Sequence, residues 1–313
     1  MAEQRDRRLQ PRCGRTFSIL SHRRTAEFCD ACKRYRYIGL CYGAPGVGKT
    51  VSARHYANCD RMQELWNDPG HSAAAVEEIA ANSTVFHTAP VVGAPSVIER
   101  QIGKLRDRLH SAAIDVRRQI ENAEMRRLLG ILDDLRDRLK NPDGYRSQET
   151  EDAEDAFLKQ RHRAMGLEKL VPDPTALLVI DEADRLKIVG LEQARSIFDR
   201  GGIGMILIGM PGIEKRLARY PQLHSRIGFV HEFRPLSASE IRQLLERHWT
   251  PPGVKLPGGT IDTVAAASII RITGGNFRLL LTQVERILEI NSLPTVTKEV
   301  VEAARENLVI GQS

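Results

Sequence analysis

Residues 43–50 read Gly43-Ala44-Pro45-Gly46-Val47-Gly48-Lys49-Thr50, a run that few folds have any use for. A short apolar stretch, Ile38-Gly39-Leu40-Cys41-Tyr42, precedes it, and a helix is expected from Lys49 to about Asn58. Strand, glycine-rich turn and helix in that order make a phosphate cradle. The glycines let backbone N–H groups curl around an anion, and the helix points its positive end at it. Lys49 is placed to reach the β- and γ-oxygens of a bound nucleotide, and the Thr50 hydroxyl to ligate Mg2+. A plain strand-to-helix turn needs neither side chain.

A second run completes the chemistry. Leu177-Leu178-Val179-Ile180 is a continuous apolar segment, as in a strand buried on both faces, and it ends in Asp181-Glu182. A carboxylate at Asp181 can hold the magnesium, and Glu182 beside it can take a proton from the attacking water.

Further strands are expected at Thr84 to Val92, 204–209 and Gly228–Phe233, with helices at Ala73–Ala81 and Leu191 to Asp199 and polar connections elsewhere in 60–83. Strands alternating with helices give an α/β fold with a parallel sheet flanked by helices. Past Phe233 the chain turns helical, opening on the capping box Ser237-Ala238-Ser239-Glu240, with helices near 261–272, 277–290 and 297–307. The expected organisation is a basic arm at 1–35, an α/β domain at 36–234, and a small all-helical lid domain at 235–313.

Residues 96–170 read as a helical insertion. Ile98, Ile102, Leu105, Leu109, Ala112, Val116, Ile120 and Ala123 recur at steps of four and three, and the seam resumes out of phase at Leu128, Leu132, Leu135 and Leu139. One long helix stopped by Asn141-Pro142-Asp143-Gly144 fits this pattern, followed by an acidic, helical or loose stretch at 147–160. The stripe serves either packing on its own domain or a contact with another subunit or partner.

The charge is unevenly spread. Residues 1–40 carry ten Lys/Arg against four acids, which equals the net +6 of the whole chain. Such an arm is either a solvated tail or a contact for phosphate backbones and acidic partners. Five cysteines, an odd count, fit a reducing cytoplasm better than a disulfide framework. Cys29-Asp30-Ala31-Cys32, with Cys13 and His22 upstream, is one metal knuckle where structural zinc sites usually pair two, so isolated thiols fit better. No apolar run approaches the about 18 residues of a membrane span, and the Arg-rich start does not read as a signal peptide. Tyr35, Tyr37 and Tyr42 are candidates either to stack an adenine or to pack in the core.

Two arginines remain. Arg226 follows Pro221-Gln222-Leu223-His224-Ser225 just before a strand, where it can reach the γ-phosphate of a neighbouring subunit or serve as a surface residue. Arg278, in Gly274-Gly275-Asn276-Phe277-Arg278, begins a helix of the second domain and can report the nucleotide to it.

With these residues in view the chain resembles the AAA+ ATPases. Within them it is similar to the transposition ATPases related to the phage Mu B protein and the TnsC and TniB regulators. The subgroup likeness rests on Ile206-Leu207-Ile208-Gly209-Met210-Pro211-Gly212, Leu217, Tyr220-Pro221-Gln222-Leu223, Ser225-Arg226 and Phe233-Arg234-Pro235-Leu236-Ser237, and the resemblance covers roughly 36–290. It implies that residues 43–50 bind ATP, that Thr50 and Asp181 hold Mg2+, that Glu182 is the hydrolytic base, that Arg226 is a finger acting in trans, and that Arg278 is a second sensor. It also implies an ATP-dependent ring or helical filament on duplex DNA that recruits a transposase to its target. By position, Arg100, Lys104 and Arg106 are candidates to face that DNA. Cytosolic protein remodelling, secretion-associated work and a nucleotide switch with little turnover are the competing readings. Two departures stand out. Gly209-Met210 occupies a strand tip where the family commonly has a polar residue, and 132 positions separate Lys49 from Asp181.

Overall fold

The computed structural model describes residues 20–68, 70, 72–91, 94–139, 148–234, 237, 268, 284, 287–288 and 296–306. Its core is a five-stranded sheet in the order β2-β3-β4-β1-β5, every pairing parallel. The strands are β1 (Ile38–Gly43), β2 (Thr84–Thr88), β3 (Leu177–Asp181), β4 (Gly204–Gly209) and β5 (Ile227–Phe233). All residues of β3 and β4 are buried, as their unbroken apolar runs require of central strands. In β5 half-buried and exposed residues alternate up to Phe233, the mark of an edge strand.

Side chains on the two faces of the sheet enter two cores. Leu178, Ile180, Met205 and Leu207 point into one, with α3 (Cys59–Asn67), α4 (Ala73–Ala81), α5 (Pro95–Leu139) and α8 (Ile188–Gly201) over them. Leu177, Val179, Ile206 and Ile208 point into the other, under α1 (Leu20–Tyr35) and α2 (Lys49–Tyr56). This period of two is the pleat itself.

The second half of the basic arm is therefore α1, a helix whose Thr25, Phe28, Cys29 and Cys32 are buried. It lies very close to the sheet. A Cβ at Gly204 would fall 2.4 Å from the Cys32 carbonyl oxygen, and one at Gly39 would fall 2.4 Å from the Cys32 Sγ. The Cys29-x-x-Cys32 pair is thus core packing, and no cluster of three or more His, Cys, Asp or Glu placed to share a metal ion occurs among the described residues. Burial raises the Cys29 thiol and pushes Cys32 and Cys41 up to about 12, so all three stay protonated. Cys13 lies outside the described residues.

The long helix forms as expected, over 45 residues. Its seam is buried at Ile98, Ile102, Leu109 and Ala112 and half-buried at Leu105, but Ile120 and Ala123 are exposed, and Ile114 and Glu121 are buried instead. The face turns because the partner changes, from α4 and α8 to α6 (Gln148–Met165). Arg106 pairs with Asp173 at 2.7 Å, His110 meets the Val171 carbonyl at 2.8 Å, and Arg200 reaches back to Glu99 at 2.7 Å. The described insertion thus packs on its own chain, with the short α7 (Leu167–Leu170) leading back to β3.

Local boundaries differ in instructive ways. β2 stops at Thr88 rather than Val92: Ala89 donates one more bond to the Asp181 carbonyl, and Pro90 has no N–H to continue. The segment read as polar connection contains α3, which buries only Met62 and Leu65. α8 starts three residues earlier than expected and ends at Gly202, whose φ of 58° is the left-handed cap glycine favours. α9 (Ile213–Leu217), α10 (Pro221–His224) and α11 (Lys298–Glu306) complete the described elements. The capping box beyond Ser237 and the helices expected near 261–272 and 277–290 lie outside the described residues, apart from isolated positions. No described helix is long and apolar enough to cross a membrane.

Candidate functional site

The glycine cradle and the acidic pair meet because their strands nearly do. β1 and β3 both flank β4, so the ends of Gly43 and Asp181 face the same carboxyl edge of the sheet, the edge where open α/β sheets bind ligands. The long insertion between them is accommodated outside the sheet.

The loop at 44–48 is built by its glycines. Gly46 and Gly48 have φ of 80° and 100°, and nothing lies within 4 Å of a Cβ placed on Gly48. Backbone conformation, not crowding, demands glycine there. Gly43 is different: a Cβ would stand 2.3 Å from the Phe233 carbonyl oxygen of β5. Lys49 is only 8% exposed, and its ammonium donates to the carbonyls of Gly43 at 2.6 Å and Ala44 at 2.8 Å. It thereby spans the mouth of the loop from the first residue of α2. Burial lowers its pKa, opposed by the carboxylates of Asp181 and Asp184 nearby.

Thr50 donates its hydroxyl to Asp181 Oδ2 at 2.8 Å. Asp181 is 3% exposed, and its Oδ1 accepts the N–H of Glu182 at 2.9 Å. Both carboxylate oxygens are thus aimed. Glu182 sits in the left-handed region at φ 54°, which swings its side chain out of the strand direction and starts the 3-10 turn Ala183–Arg185. Its carboxylate pairs with Arg185. A hydroxyl and a carboxylate oxygen facing one another are hard donors of the kind magnesium takes, so the residues present fit that ion.

Arg226 lies elsewhere. Its carbonyl accepts from the N–H of Ile38, at the opposite end of β1 from Gly43. That strand's length puts it about 16 Å away along the sheet. Its guanidinium grips Asp199 of α8 through Nε–Oδ1 at 2.5 Å and Nη2–Oδ2 at 3.0 Å, and also donates to the Gln222 carbonyl. Arg226, with Arg195 adding to it, holds the Asp199 carboxyl below its usual range. Arg278 lies outside the described residues. Tyr35 and Tyr37 rest on Phe229, with ring centroids 6.0 and 5.9 Å away, flanking the start of β1 rather than the loop. Tyr42 packs on the core.

Sequence reasoning thus found the four residues Lys49, Thr50, Asp181 and Glu182 that the fold brings together. It missed Asp199 as the partner of Arg226 and Arg185 as the partner of Glu182. An acid at the end of α8 carries no motif; Arg185, three positions after Glu182, carried a weak signal in its spacing alone.

A parallel sheet with a glycine cradle, a helix-start lysine and a strand-end carboxylate at one edge defines a P-loop nucleotide-binding protein. The AAA domain family matches residues 32–217. A Staphylococcus aureus protein named "Potential ATP-binding protein" is 40% identical over 298 residues, covering 93% of this chain and 95% of its own. Among solved structures, the Aeropyrum pernix Orc1 protein in complex with DNA is similar at TM-score 0.51 and 17% identity, over 95% of this chain and 68% of its own. The Thermotoga maritima RuvB Holliday junction branch migration motor is similar at TM-score 0.49 and 16% identity, over 94% and 70%. The chain belongs to the AAA domain family of P-loop ATPases.

Proposed function

We propose that this protein binds and hydrolyses Mg·ATP, assembles through that site into a ring or helical filament on duplex DNA, and regulates transposition by recruiting a transposase to the target. The observation that carries the nucleotide part is the Thr50–Asp181 pair beside the buried Lys49. In this reading residues 43–48 wrap the phosphates, Lys49 neutralises the β- and γ-oxygens, and Thr50 and Asp181 would hold the magnesium, which adds positive charge at the transferring phosphate. Glu182 accepts the proton of the attacking water.

Assembly follows from Arg226. An arginine at the far end of β1 from its own loop reaches a triphosphate only on another copy, and it must leave Asp199 to do so. In this reading Arg278 reports the nucleotide to the lid. DNA contact rests on exposed basic groups: Arg24, Arg34 and Arg36 around α1, and Arg100 and Lys104 on α5. Arg106 is less suited, being committed to Asp173. The transposase partner rests on the subgroup resemblance of 206–237, and the cytoplasmic setting on the odd count of five cysteines.

Electron microscopy with duplex DNA and a slowly hydrolysed ATP analogue tests this reading. Nucleotide-dependent rings or filaments on DNA are expected; DNA-free monomers would contradict it. A second reading, an assembly switch with little turnover, is favoured by the Glu182–Arg185 ion pair, which engages the base. ATPase assays with and without DNA separate the two.

A further inference from the structure

The tip of β4 lies between the two halves of the site, because β4 runs between β1 and β3. The register sets Tyr42 against Gly209, so Gly209 stands next to the residue pair that opens the phosphate loop. Gly209 has no side chain to offer there, and Met210 is apolar. A polar group nevertheless reaches this strand tip, brought from the turn that follows β3. Asp184, two residues past Glu182, sends its Oδ1 to the N–H of Met210 at 3.2 Å. A Cβ built on Gly209 would stand 2.6 Å from Ile213 Cδ1 and 3.1 Å from that same oxygen. A side chain at 209 would crowd both Ile213 and the Asp184 carboxylate, and the glycine leaves room for both.

The turn that carries Asp184 is held rigidly. Arg216 of α9 donates to the Asp184 carbonyl at 2.7 Å and to the Leu186 carbonyl. Ala183 is fully buried, and Leu186 N–H closes the turn on the Ala183 carbonyl at 3.1 Å. Asp184 is half-buried, and its carboxylate is close enough to Lys49 to favour the charged ammonium. Among the described residues, no hydrogen-bond partner engages Oδ2.

We infer that Asp184 is the water-positioning residue of this site, supplying from the β3 turn the polar group that the β4 tip lacks. This rests on the hydrolysis reading above. With Oδ1 anchored on Met210, Oδ2 accepts a hydrogen bond from the attacking water and turns it toward the γ-phosphorus. The water oxygen then bonds to phosphorus while the bond to the β,γ-bridging oxygen breaks. The electron pair leaves with ADP, and the water proton passes to Glu182. Asp184 takes no proton in that step; it sets the direction of attack.

The test compares wild type, Asp184→Ala, Asp184→Asn and Glu182→Gln in steady-state ATP turnover with Mg2+ and DNA, beside the affinity for a fluorescent ATP analogue. Asp184→Ala is expected to lower kcat by about 10- to 1,000-fold while KM and analogue affinity stay near wild type. Asp184→Asn keeps an acceptor for Met210 N–H but puts an amide donor where the water needs an acceptor, so its kcat stays low although the turn remains braced. Two results overturn the inference: an unchanged kcat in Asp184→Ala, or a loss of analogue affinity in step with kcat, which marks the carboxylate as a brace for the turn. If Glu182→Gln abolishes turnover while Asp184→Ala does not, only this inference falls; if wild type itself shows no turnover, the hydrolysis reading falls with it.

Discussion

The Thr50 hydroxyl at the start of α2 donates to Asp181 Oδ2 at the end of β3 over 2.8 Å, although 131 positions of chain separate the two. Nothing local in the sequence brings them together. The pairing exists because β1 and β3 flank the same strand and point the same way, so their carboxyl ends share an edge.

That pair should control the metal dependence of nucleotide binding. Thr50→Ala and Asp181→Asn are each expected to weaken Mg2+-supported binding of a fluorescent ATP analogue by about 10- to 100-fold, the effect of losing one charge-assisted contact. Binding in the presence of a chelator should change little. Equal losses with and without magnesium would assign the pair a purely structural role.

Arg226 and Lys49 belong to different halves of the proposed subunit contact. Arg226→Ala should leave analogue binding by the monomer intact and depress hydrolysis by the assembly about 10³-fold or more, as for other in-trans arginines. Lys49→Ala retains its arginine but loses its nucleotide. Mixing the two variants should restore part of the turnover, because Arg226 of one copy then meets the intact loop of another. Absence of complementation at any ratio would contradict action in trans.

The seating of α1 on the sheet is testable through Gly204. A methyl group there meets the backbone oxygen of Cys32 rather than a flexible side-chain end, so something must shift. Gly204→Ala is expected to destabilise by about 1–3 kcal/mol in chemical denaturation, the usual range for an overpacked core. A neutral effect would show that α1 is not packed as described.

Acid should loosen the fold through His87. The residue is 7% exposed on β2, its Nε2 has no partner among the described residues, and burial lowers its pKa below 6.5. Its folded value lies below the unfolded one, so under acid the unfolded chain binds the extra proton. Stability therefore holds above pH about 6.5 and declines as pH falls through that value toward the folded pKa. Denaturation midpoints at pH 7.5 and pH 5.5 should differ more for wild type than for His87→Leu; identical differences would rule His87 out as the source.

The parts of the fold legible in the sequence were those with a local signature. The Gly43–Thr50 run, the apolar β3 and β4, and the seam of α5 each announce themselves within a few turns of chain. α1 was hidden because Arg23, Arg24, Lys33 and Arg34 dominate its composition, though Thr25, Phe28, Cys29 and Cys32 share one helical face. α3 was hidden because two buried residues make too thin a stripe. The partners of the site side chains could not be read at all. That Asp199 faces Arg226, or that Asp184 accepts the N–H of Met210, depends on which strands are neighbours, and strand order leaves no trace in spacing.

The central claim is that a magnesium-bound triphosphate lies between the cradle of 43–50 and Asp181. Calorimetric titration of ATP with Mg2+ into wild type and Lys49→Ala measures it most directly. Wild type should bind with one site per chain, and removal of the Lys49 ammonium should lower affinity by about 100-fold or more. Lys49→Ala retaining the wild-type affinity would place the nucleotide elsewhere and contradict the account.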